Sequence, residues 1–414
     1  MSNISRTSRF ASAIALLLLL TLTISSCTQS HPPYVANPAA PQIRVCLLER
    51  QPQIMLSATE PPIVRLNDEM PGRRLNIPPG SSVAILLTPA GWQIGNIPLP
   101  IGVLTIVPAT DGTVSINNKR YHGKYRLVPV KEGFDVVNDV DIDAYLKGVL
   151  ADEMLKGWLP ETYKAQAITA RTYALYEART TSPGKHFDVF DDTRSQVYGG
   201  ISSETAKARQ AVDETSGVVV VYGPPGQEKI FKAYFSSCCG GISQSAADAF
   251  NEAYIPPLSD QNNHSLCAAS PRFNYGPITI SKTDLTARIR TWGDKRKRPE
   301  RNIAEVASIA IQANNRWGRP TRFVVTDTTG NRYSLTGEEL RWAVNTNATD
   351  TTRLSSSFLK PITQPDTIQF IDCHGNGHGV GLCQWCSQAR AEAGMRHEDI
   401  VLSAFQRAKL ARAY

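Results

Sequence analysis

The sequence predicts an α+β protein, and three stretches of the chain carry that prediction. Residues 42–140 alternate short apolar runs with turn signals, which is the pattern of β-strands. Residues 141–176 have the apolar spacing of two helices joined by a tight break. The rest of the chain mixes the two patterns. We therefore expect a β-rich N-terminal part, a helix pair, and a mixed α/β C-terminal part around one cleft.

Length, composition and charge indicate a folded protein and argue against a nucleic-acid partner. The chain has 414 residues, of which 42% are hydrophobic and 20% charged, and its formal net charge is +7. A chain of this length can bury one large core or two ordinary ones. The mild positive charge suits an anionic polymer, but it is far from the charge of nucleic-acid-binding proteins. We expect no nucleic-acid partner.

The N-terminus has the features of an export signal. Two arginines precede an apolar run over residues 13–23, which is short for a membrane-spanning helix. The segment ends in Ile-Ser-Ser-Cys, which resembles a bacterial lipobox, whose cysteine becomes the lipidated first residue. We expect residues 1–26 to be a lipoprotein signal peptide, Cys27 to carry the lipid, and residues 27–41 to form a Pro-rich tether. An uncleaved anchor and an ordinary signal peptide are the alternatives.

Export determines the expected state of the cysteines. A lipid-anchored chain of this kind belongs to the cell envelope and faces the periplasm or the exterior, where thiols are oxidised. The eight cysteines include Cys27, so seven remain in the folded part. An odd number leaves at least one thiol free or metal-bound, unless two chains pair.

Residues 42–140 are expected to form the β-rich region that leads to the helix pair. Asp-Gly at 111–112 and Asn-Asn at 117–118 mark turns. Nothing in this region has the composition of a catalytic site. The predicted strands cover residues 43–48, 83–87, 103–107 and 125–130.

The first helix of the pair places one carboxyl group on an apolar face. Apolar residues recur at helical spacing from Ile142, and Asp141 or Asp143 can cap the start. At about 100° per residue, Glu153 projects almost along the line of Ile142, whereas Asp152 falls to one side. An apolar environment raises a carboxyl pKa, as a general acid near neutral pH requires. Glu153 is therefore a candidate acid, and the alternative is a residue that merely ends the helix.

The second helix begins at Pro160, a residue well suited to a first helical turn. Four alanines make it slim, so that it can pack closely against a neighbour. Lys164 and Arg171 lie along one side, and Gln166 lies on another. These three are candidates for holding a substrate or orienting Glu153, although charged helix residues more often form a solvated face.

The helix pair resembles the stage II sporulation protein D family and the related amidase-enhancer proteins. The resemblance is carried by YLKGVLADEM at 145–154 and KAQAITARTYAL at 164–175. They match the family's Tyr-Leu-x-Gly-Val, Glu-Met, Lys-Ala-Gln-Ala and Ala-Arg-Thr-Tyr-Ala. The sporulation protein is a lytic transglycosylase that cleaves the glycan strands of peptidoglycan. Its proposed catalytic acid is the Glu of the Glu-Met pair, so the resemblance implies that role for Glu153.

The loop at 187–200 has a composition that suits sugar binding. Its Asp, Thr, Ser and Gln side chains can pair with hydroxyls, and its aromatic residue can stack on a sugar ring. It also resembles the family's Gln-x-Tyr-x-Gly, here Gln196, Tyr198 and Gly200. A turn-rich structural loop is the alternative.

Two cysteine segments, AYFSSCCGG and HSLCAASPRF, resemble the family's Tyr-His-Ser-x-Cys-Gly-Gly and Cys-x-x-Ser-Pro. The alignment puts Cys239 and Cys267 at family cysteine positions. Ser236 stands where the family has a His that binds zinc together with Cys. We expect Cys239 and Cys267 to lie close together and to form a disulfide. A metal site that includes both cysteines and His264 is the alternative.

The glycine-rich stretch FIDCHGNGHGVGLCQWCSQARAEAG at 370–394 resembles another family motif, Gly-x-Gly-x-Gly-His-Gly-Val-Gly-x-Ser-Gln. Glycines allow φ > 0 and let the backbone approach a ligand, and backbone amides in such a loop can contact sugar hydroxyls. We expect His378 and Gln384 to bind substrate. Cys383 and Cys386 depart from the family, in which Ser and Gly are usual.

The cysteines of this stretch allow two interpretations. Cys-x-x-Cys with histidines nearby is typical of zinc ligands, and the same spacing also occurs in disulfides. We expect no cofactor to be required, with zinc as the alternative. The candidate ligands are Cys373, His374, His378, Cys383 and Cys386.

Three functions from different classes are in competition. The resemblance implies a peptidoglycan lytic transglycosylase, in which Glu153 is general acid and base and the product is a 1,6-anhydro sugar. One carboxylate suffices because the substrate supplies its own nucleophile. The second function is a non-catalytic peptidoglycan-binding enhancer of a cell-wall amidase, and the third is a metal-dependent wall hydrolase. The presence of the acid favours the enzyme. We expect residues 141–414 to form its catalytic domain and glycan strands to be its substrate. The lipid anchor would hold the protein at the membrane.

Overall fold

The computed structural model describes residues 40–414, except residues 70, 79, 111 and 264. The expected signal peptide at 1–26, the expected lipidation site Cys27 and the expected tether up to residue 39 lie outside the described residues, so these predictions stay untested. Within the described part of the chain, we find no helix whose length and hydropathy would let it cross a membrane.

The N-terminal region is antiparallel β structure, as its alternating pattern predicts. Asn117 and Asn118 both have φ > 0, as the tight turn of a two-residue hairpin requires. The strands are β1 (Gln42–Gln51), β2 (Gln53–Ala58), β3 (Ile63–Leu66), β4 (Arg73–Arg74), β5 (Val83–Thr88), β6 (Gly91–Ile94), β7 (Ile97–Leu99), β8 (Leu104–Val107), β9 (Val114–Ile116), β10 (Lys119–Arg120), β11 (Lys124–Val130) and β12 (Gly133–Asp141).

These strands form two sheets. One has the order β10-β9-β2-β5-β6-β7, and the other contains β1-β12-β11-β8-β3-β4. Their inward-facing side chains, such as Ile54, Leu104 and Val136, are fully buried. The sheets therefore provide a rigid base for the helix that follows β12 directly.

The predicted helix pair is α1 (Ile142–Glu153) and α2 (Pro160–Thr180). Asp141 caps α1, because its Oδ1 accepts hydrogen bonds from the N–H groups of Asp143 and Ala144 at 2.9 and 3.0 Å. The helix starts where the sequence predicts, and Glu153 is its last residue.

One strand positions both sides of the candidate site. β1 pairs antiparallel with β12, which leads into α1. It also pairs in parallel with β13 (Val189–Phe190), which leads into the loop at 191–200. The end of the helix and the loop are therefore held by the same sheet.

The remaining elements combine helices with small, mostly antiparallel sheets, which agrees with the α+β class. In the middle of the chain they are α3 (Ala206–Glu214), β14 (Val218–Tyr222), β15 (Lys229–Ile230), β16 (Phe235–Ser236) and α4 (Ala246–Phe250). The C-terminal elements are β17 (Asn274–Tyr275), β18 (Ile278–Ser281), α5 (Lys282–Lys295), β19 (Val306–Asn314), β20 (Pro320–Asp327), β21 (Arg332–Thr336), α6 (Gly337–Asn345), β22 (Phe358–Thr363), β23 (Thr367–His374), β24 (Leu382–Cys383), α7 (Gln384–Glu392), α8 (His397–Ala404) and β25 (Lys409–Arg412).

The C-terminal strands belong to small sheets that surround the helices. β19, β20 and β21 form one antiparallel sheet, and β23 pairs with β17, β18 and β22 in another. β14 lies between β15 and β25. The parallel pair of β16 and β24 sets Ser236 opposite Cys383, and so brings the Cys-Gly-Gly segment to the start of α7.

Helix α2 lies between two hydrophobic cores. Ala167, Ala170 and Ala174 belong to the core that contains the N-terminal sheets and α1. Ala165 and Ile168 belong to a second core with β14 and α8. The small alanine side chains allow both neighbours to approach the helix closely.

Candidate active site

Glu153 lies at the end of α1, at the edge of the buried face of the helix. Ile142 and Val149 of that face are fully buried, Glu153 is half-buried, and Asp152 is exposed. The helical count thus places both carboxyl groups correctly. Glu153 Oε1 accepts a hydrogen bond from the N–H of Val197 at 3.0 Å.

The surroundings of Glu153 favour its protonated form. Burial raises the pKa of the Glu153 carboxyl group above its ordinary value, and the negative charge of Asp152 acts in the same direction. The Val197 N–H and the Gln384 amide oppose the rise because they stabilise the carboxylate. The balance leaves a carboxyl group that can keep a proton to a higher pH than an exposed glutamate, as a general acid must.

Gln384 is the first residue of α7, and it connects that helix to Glu153. Its Nε2 donates to the backbone carbonyl of Glu153 at 3.3 Å, and its side chain is buried. The end of the glycine-rich stretch and the end of the Glu153 helix therefore meet in the fold.

Gln196 supports the loop that contacts Glu153. Tyr145 Oη donates to Gln196 Oε1 at 3.1 Å, and Gln196 Nε2 donates to the carbonyl of Ala170 at 3.4 Å. The amide is fully buried, so these bonds fix the backbone beside it. Gln196 thereby directs the N–H of Val197 toward the acid.

Tyr198 anchors the other end of the same loop. Its ring is buried between Tyr121 and Tyr145, with centroid distances of 5.1 and 4.7 Å, and its hydroxyl donates to Asn138 Oδ1 at 3.2 Å. A Cβ at Gly148 would lie 2.7 Å from this ring, so α1 requires glycine there. The ring is packed inside the protein, which suits support of the loop rather than stacking on a sugar.

Lys164 and Arg171 are both engaged in internal ion pairs. Lys164 Nζ lies 3.0 Å from Glu161 and 2.7 Å from Glu214. Arg171 is fully buried, its Nε lies 2.8 Å from Asp143 Oδ1, and its other nitrogens donate mainly to backbone carbonyls. These contacts tie α2 to α1 and α3, and they suit structural support better than substrate contact.

Gln166 is fully buried, and neither amide atom has a hydrogen-bond partner among the described residues. One helical turn before it, Thr162 Oγ1 donates to Gln388 of α7 at 2.8 Å. One turn after it, the carbonyl of Ala170 accepts from Gln196. Gln166 therefore lies on the face of α2 that meets both α7 and the loop that contacts Glu153.

His378 lies in an aromatic environment. The centroid of its ring lies 5.6 Å from that of Tyr234 and 5.4 Å from that of Phe250. Its Nδ1 accepts a hydrogen bond from the N–H of Val380 at 3.0 Å. Burial lowers the pKa of His378 to about 4, so the ring is neutral at physiological pH. The neutral imidazole carries its proton on Nε2, since Nδ1 acts as an acceptor.

Four buried cysteines come together beside the start of α7. The Sγ atoms of Cys239, Cys267, Cys383 and Cys386 all lie within 4.8 Å of one another. Cys239 Sγ is 3.7 Å from Cys267 Sγ and 3.8 Å from Cys386 Sγ. The predicted proximity of Cys239 and Cys267 is confirmed.

The expected disulfide between Cys239 and Cys267 is not present. All seven cysteines in the described part of the chain are free thiols. Cys383 and Cys386 likewise form no disulfide, and both belong to the same cluster. The predicted disulfide is therefore wrong. Cys239, Cys267, Cys383 and Cys386 form one group of four, which we call the thiol cluster.

The other candidate ligands of the C-terminal stretch lie elsewhere. Cys373 is buried in the C-terminal core, and His374 Nδ1 is 2.7 Å from Asn274 Oδ1. Ser236, at the position of the family's His, accepts from the N–H of Gly379 at 3.1 Å. His264 lies outside the described residues.

The thiol cluster fits a tetrahedral metal ion. Zinc bound to four thiolates at about 2.3 Å has sulfur–sulfur edges of about 3.8 Å, which agrees with the two distances from Cys239. The sulfurs also accept N–H donors, as thiolate ligands do. Cys383 Sγ accepts from the backbone N–H groups of Cys239 and Cys386 at 3.3 and 3.4 Å, and Cys239 Sγ accepts from Asn263 Nδ2 at 3.4 Å.

Arg319, which sequence reasoning missed, links the thiol cluster to the glycine-rich loop. Its fully buried guanidinium donates to the carbonyls of Cys239 and Ile242 at 3.1 and 2.7 Å, and to that of His378 at 3.3 Å. Gly379 has φ +69°, and a Cβ there would lie 2.4 Å from Arg319 Nη1. This close approach explains why residue 379 is glycine. Nothing in the sequence around Arg319 indicates that its side chain reaches this loop.

The start of α7 also joins the thiol cluster to the surroundings of Glu153. Cys383 precedes Gln384 in the chain, and Trp385 packs against both the thiol cluster and the core of α1 and α2. The Trp385 ring meets Trp158 edge to face at a centroid distance of 5.2 Å. The acid and the four cysteines are therefore neighbours through one helix end.

The comparisons with known proteins agree with these motifs. A family model described as stage II sporulation protein matches residues 130–222, which include α1, α2 and the loop at 191–200. An uncharacterized protein of Brachyspira hyodysenteriae is 30% identical over 305 residues, covering 72% of this chain and 73% of the relative.

Two named relatives from Bacillus subtilis are also similar. Its amidase enhancer is 25% identical over 330 residues, which span 71% of this chain but 44% of the enhancer. Its stage II sporulation protein D is 25% identical over 295 residues, covering 67% of this chain and 76% of the relative. The chain belongs to the stage II sporulation protein D and amidase enhancer family.

Proposed function

We propose that this protein is a peptidoglycan lytic transglycosylase, and the half-buried carboxyl group of Glu153 with its raised pKa carries the proposal. Family membership supports a role in the cell wall, and the acid supports catalysis. The substrate is the bond between N-acetylmuramic acid and N-acetylglucosamine. The reaction needs no second carboxylate, because the muramoyl 6-hydroxyl replaces water as the nucleophile.

Glu153 acts twice in the proposed reaction. The protonated carboxyl group first gives its proton to the glycosidic oxygen, and the bond between that oxygen and the anomeric carbon breaks. The Glu153 carboxylate then takes the proton of the muramoyl 6-hydroxyl, and the oxygen of that hydroxyl bonds to the anomeric carbon. The products are a 1,6-anhydro-muramoyl end and a free N-acetylglucosamine end, and Glu153 regains its proton.

Neighbouring amides support these steps. Gln384 holds the backbone of Glu153, and the Val197 N–H stabilises the carboxylate formed after proton transfer. A buried amide without a partner is costly, so the free donor and acceptor of Gln166 suit an orienting role in the substrate complex. Gln196 and Tyr198 act through the loop. His378 remains a proposed substrate contact at the glycine-rich loop, separate from the acid.

The pH dependence of turnover tests the role of Glu153 as an acid. Because Glu153 must be protonated to begin the reaction, kcat/KM should fall as the pH rises through its raised pKa. Asp152→Asn removes a negative charge that raises this pKa, so the fall should move to lower pH while the maximal rate changes little. Initial rates of anhydro-muropeptide release between pH 4 and 9, measured by mass spectrometry, give both curves. A curve that moves to higher pH would contradict the assignment.

The second candidate is a non-catalytic enhancer of a cell-wall amidase, which the similarity to the Bacillus subtilis amidase enhancer favours. Digestion of purified peptidoglycan separates the two functions. Anhydro-muropeptides released by the protein alone support the transglycosylase. If no such product appears, but the protein increases muramyl-peptide cleavage by an added amidase, the enhancer function is correct.

We further propose that the thiol cluster holds zinc as a structural ion. Four cysteines would occupy every position of a tetrahedral ion, whereas a catalytic zinc keeps one position open for water or substrate. This closed arrangement does not favour the metal-dependent hydrolase. When bound, zinc would link the segments of Cys239 and Cys267 to the start of α7.

The proposed activity belongs at the cell envelope, with Cys27 as the lipid attachment site. Replacing this thiol removes the group that is acylated. Cys27→Ala should therefore move the protein from the membrane fraction to the soluble fraction of lysed cells. An unchanged membrane fraction would indicate an uncleaved N-terminal anchor.

A further inference from the structure

The connector between α1 and α2 presents apolar side chains to solvent immediately after the candidate acid. Leu155 is 53% exposed and Leu159 is 38% exposed. They are two of the eight large hydrophobic side chains that are exposed in the described part of the chain. Isolated exposed leucines need no explanation, but two on one short segment beside Glu153 do.

The backbone of this connector is held rigidly although its leucines are exposed. Tyr163 Oη donates to the carbonyl of Leu155 at 3.2 Å, and the N–H of Leu159 donates to Gln388 Oε1 at 3.0 Å. Lys207 Nζ donates to the carbonyls of Lys156 and Trp158 at 2.8 and 2.7 Å. Three separate side chains therefore fix a loop whose two leucines are exposed, which suits a preorganised binding surface.

An aromatic pair joins the connector to α7. Trp158 is buried, and its ring meets the half-buried ring of Trp385 at a centroid distance of 5.2 Å. Trp385 follows Gln384, which bonds to Glu153. The connector leucines and Trp385 therefore lie on two segments that adjoin Glu153.

We propose that Leu155, Leu159 and Trp385 form a subsite for one N-acetylhexosamine unit of the glycan strand, next to the bond that is cleaved. An apolar surface of this kind fits the ring face of the sugar and the methyl of its acetamido group. The inference rests on the proposed function for the identity of the sugar. Two leucines and part of an indole are much smaller than the roughly 800 Å² per partner of a stable protein interface, which favours a single sugar over a protein.

Binding measured without turnover tests the subsite. In the Glu153→Gln background, which leaves strands intact, Leu155→Ser/Leu159→Ser should weaken the affinity for soluble glycan strands stripped of stem peptides by about tenfold, equivalent to ~1.4 kcal/mol. Isothermal titration calorimetry gives the dissociation constants. The matched control is Ile101→Ser/Ile362→Ser, which alters two isoleucines of similar exposure, 56% and 36%, in other parts of the chain.

The outcomes separate the subsite from the catalytic proposal. Affinity that falls in the connector variant but not in the control supports the subsite, even if the wild-type protein releases no anhydro product. The subsite is overturned if the connector variant binds glycan as tightly as the Glu153→Gln parent, or if the control weakens binding by the same factor. A parent protein that binds no glycan also overturns it. If the connector variant binds glycan normally but no longer binds a purified amidase, the leucines form a protein-docking surface instead. Equal melting temperatures of the two double variants verify that both are folded.

Discussion

Glu153→Gln should abolish the release of 1,6-anhydro-muropeptides, with a decrease of roughly 10³-fold or more, because Glu153 is both acid and base in the proposed reaction. The substitution keeps the length and shape of the side chain. The Gln oxygen can still accept from the N–H of Val197. What disappears is the proton that the leaving oxygen requires. Mass spectrometry of muropeptides from digested peptidoglycan measures the effect.

The same variant should be at least as stable as the wild type at neutral pH. The raised pKa means that the protonated Glu153 stabilises the fold below the ordinary glutamate pKa of about 4.3, and that this contribution is lost as the pH rises through the raised value. The Gln variant has no carboxylate to bury. Its melting temperature relative to the wild type should therefore rise with pH across this range.

Asp152→Asn is the matched control for turnover. Asp152 lies one residue away on the same helix, but it is exposed. Its loss should change the maximal rate by less than about tenfold, since it transfers no proton in the proposed reaction. If Glu153→Gln retains wild-type turnover on stripped glycan strands, Glu153 is not the catalytic acid.

The position of Glu153 could be predicted from sequence because it depends on local geometry. A capped helix with regular apolar spacing determines which side chains face the interior, and Asp141, Ile142 and Glu153 lie where the count places them. The hydrogen bond from Val197 could not be predicted in this way. A backbone donor leaves no signal in residue type, and its direction depends on the distant contacts of Gln196 and Tyr198.

The roles of charged residues were harder to predict than their positions. Lys164 and Arg171 are on α2, as expected, but two of their partners, Glu214 and Asp143, come from other helices. Spacing within one helix cannot reveal such partners. The same limit applies to Arg319, whose buried guanidinium bonds to carbonyls of two distant loops.

The thiol cluster shows a related limit of sequence reasoning. Cys-Gly-Gly and Cys-x-x-Cys were each visible as motifs, but each was compatible with its own disulfide. The parallel pairing of β16 with β24 brings them together and converts two ambiguous pairs into one tetrahedral group. Only the long-range pairing of strands contains that information.

Cys386→Ser should remove the metal and cause the largest loss of stability among the variants considered. The purified wild-type protein should contain about one zinc ion per chain. A serine oxygen is a poor replacement for a thiolate, and the three remaining thiols would stay buried without the cation that neutralises them. We expect a decrease in melting temperature of roughly 5 °C or more, because a chain of this size loses only about 1 °C per kcal/mol.

Cys373→Ser is the control for this experiment. It removes another buried thiol, but one in the C-terminal core rather than in the thiol cluster. It should retain zinc, and a chelator should lower its melting temperature as much as that of the wild type. The chelator should have little effect on Cys386→Ser.

The metal experiment also tests whether α7 depends on the thiol cluster. Cys383 and Cys386 flank Gln384 and Trp385, so loss of the ion should loosen the helix end that contacts Glu153. Hydrogen exchange at residues 384–388 should increase in Cys386→Ser and after chelation, but not in Cys373→Ser. A wild-type protein that contains no zinc and loses no stability with a chelator would show that the four thiols are not a metal site.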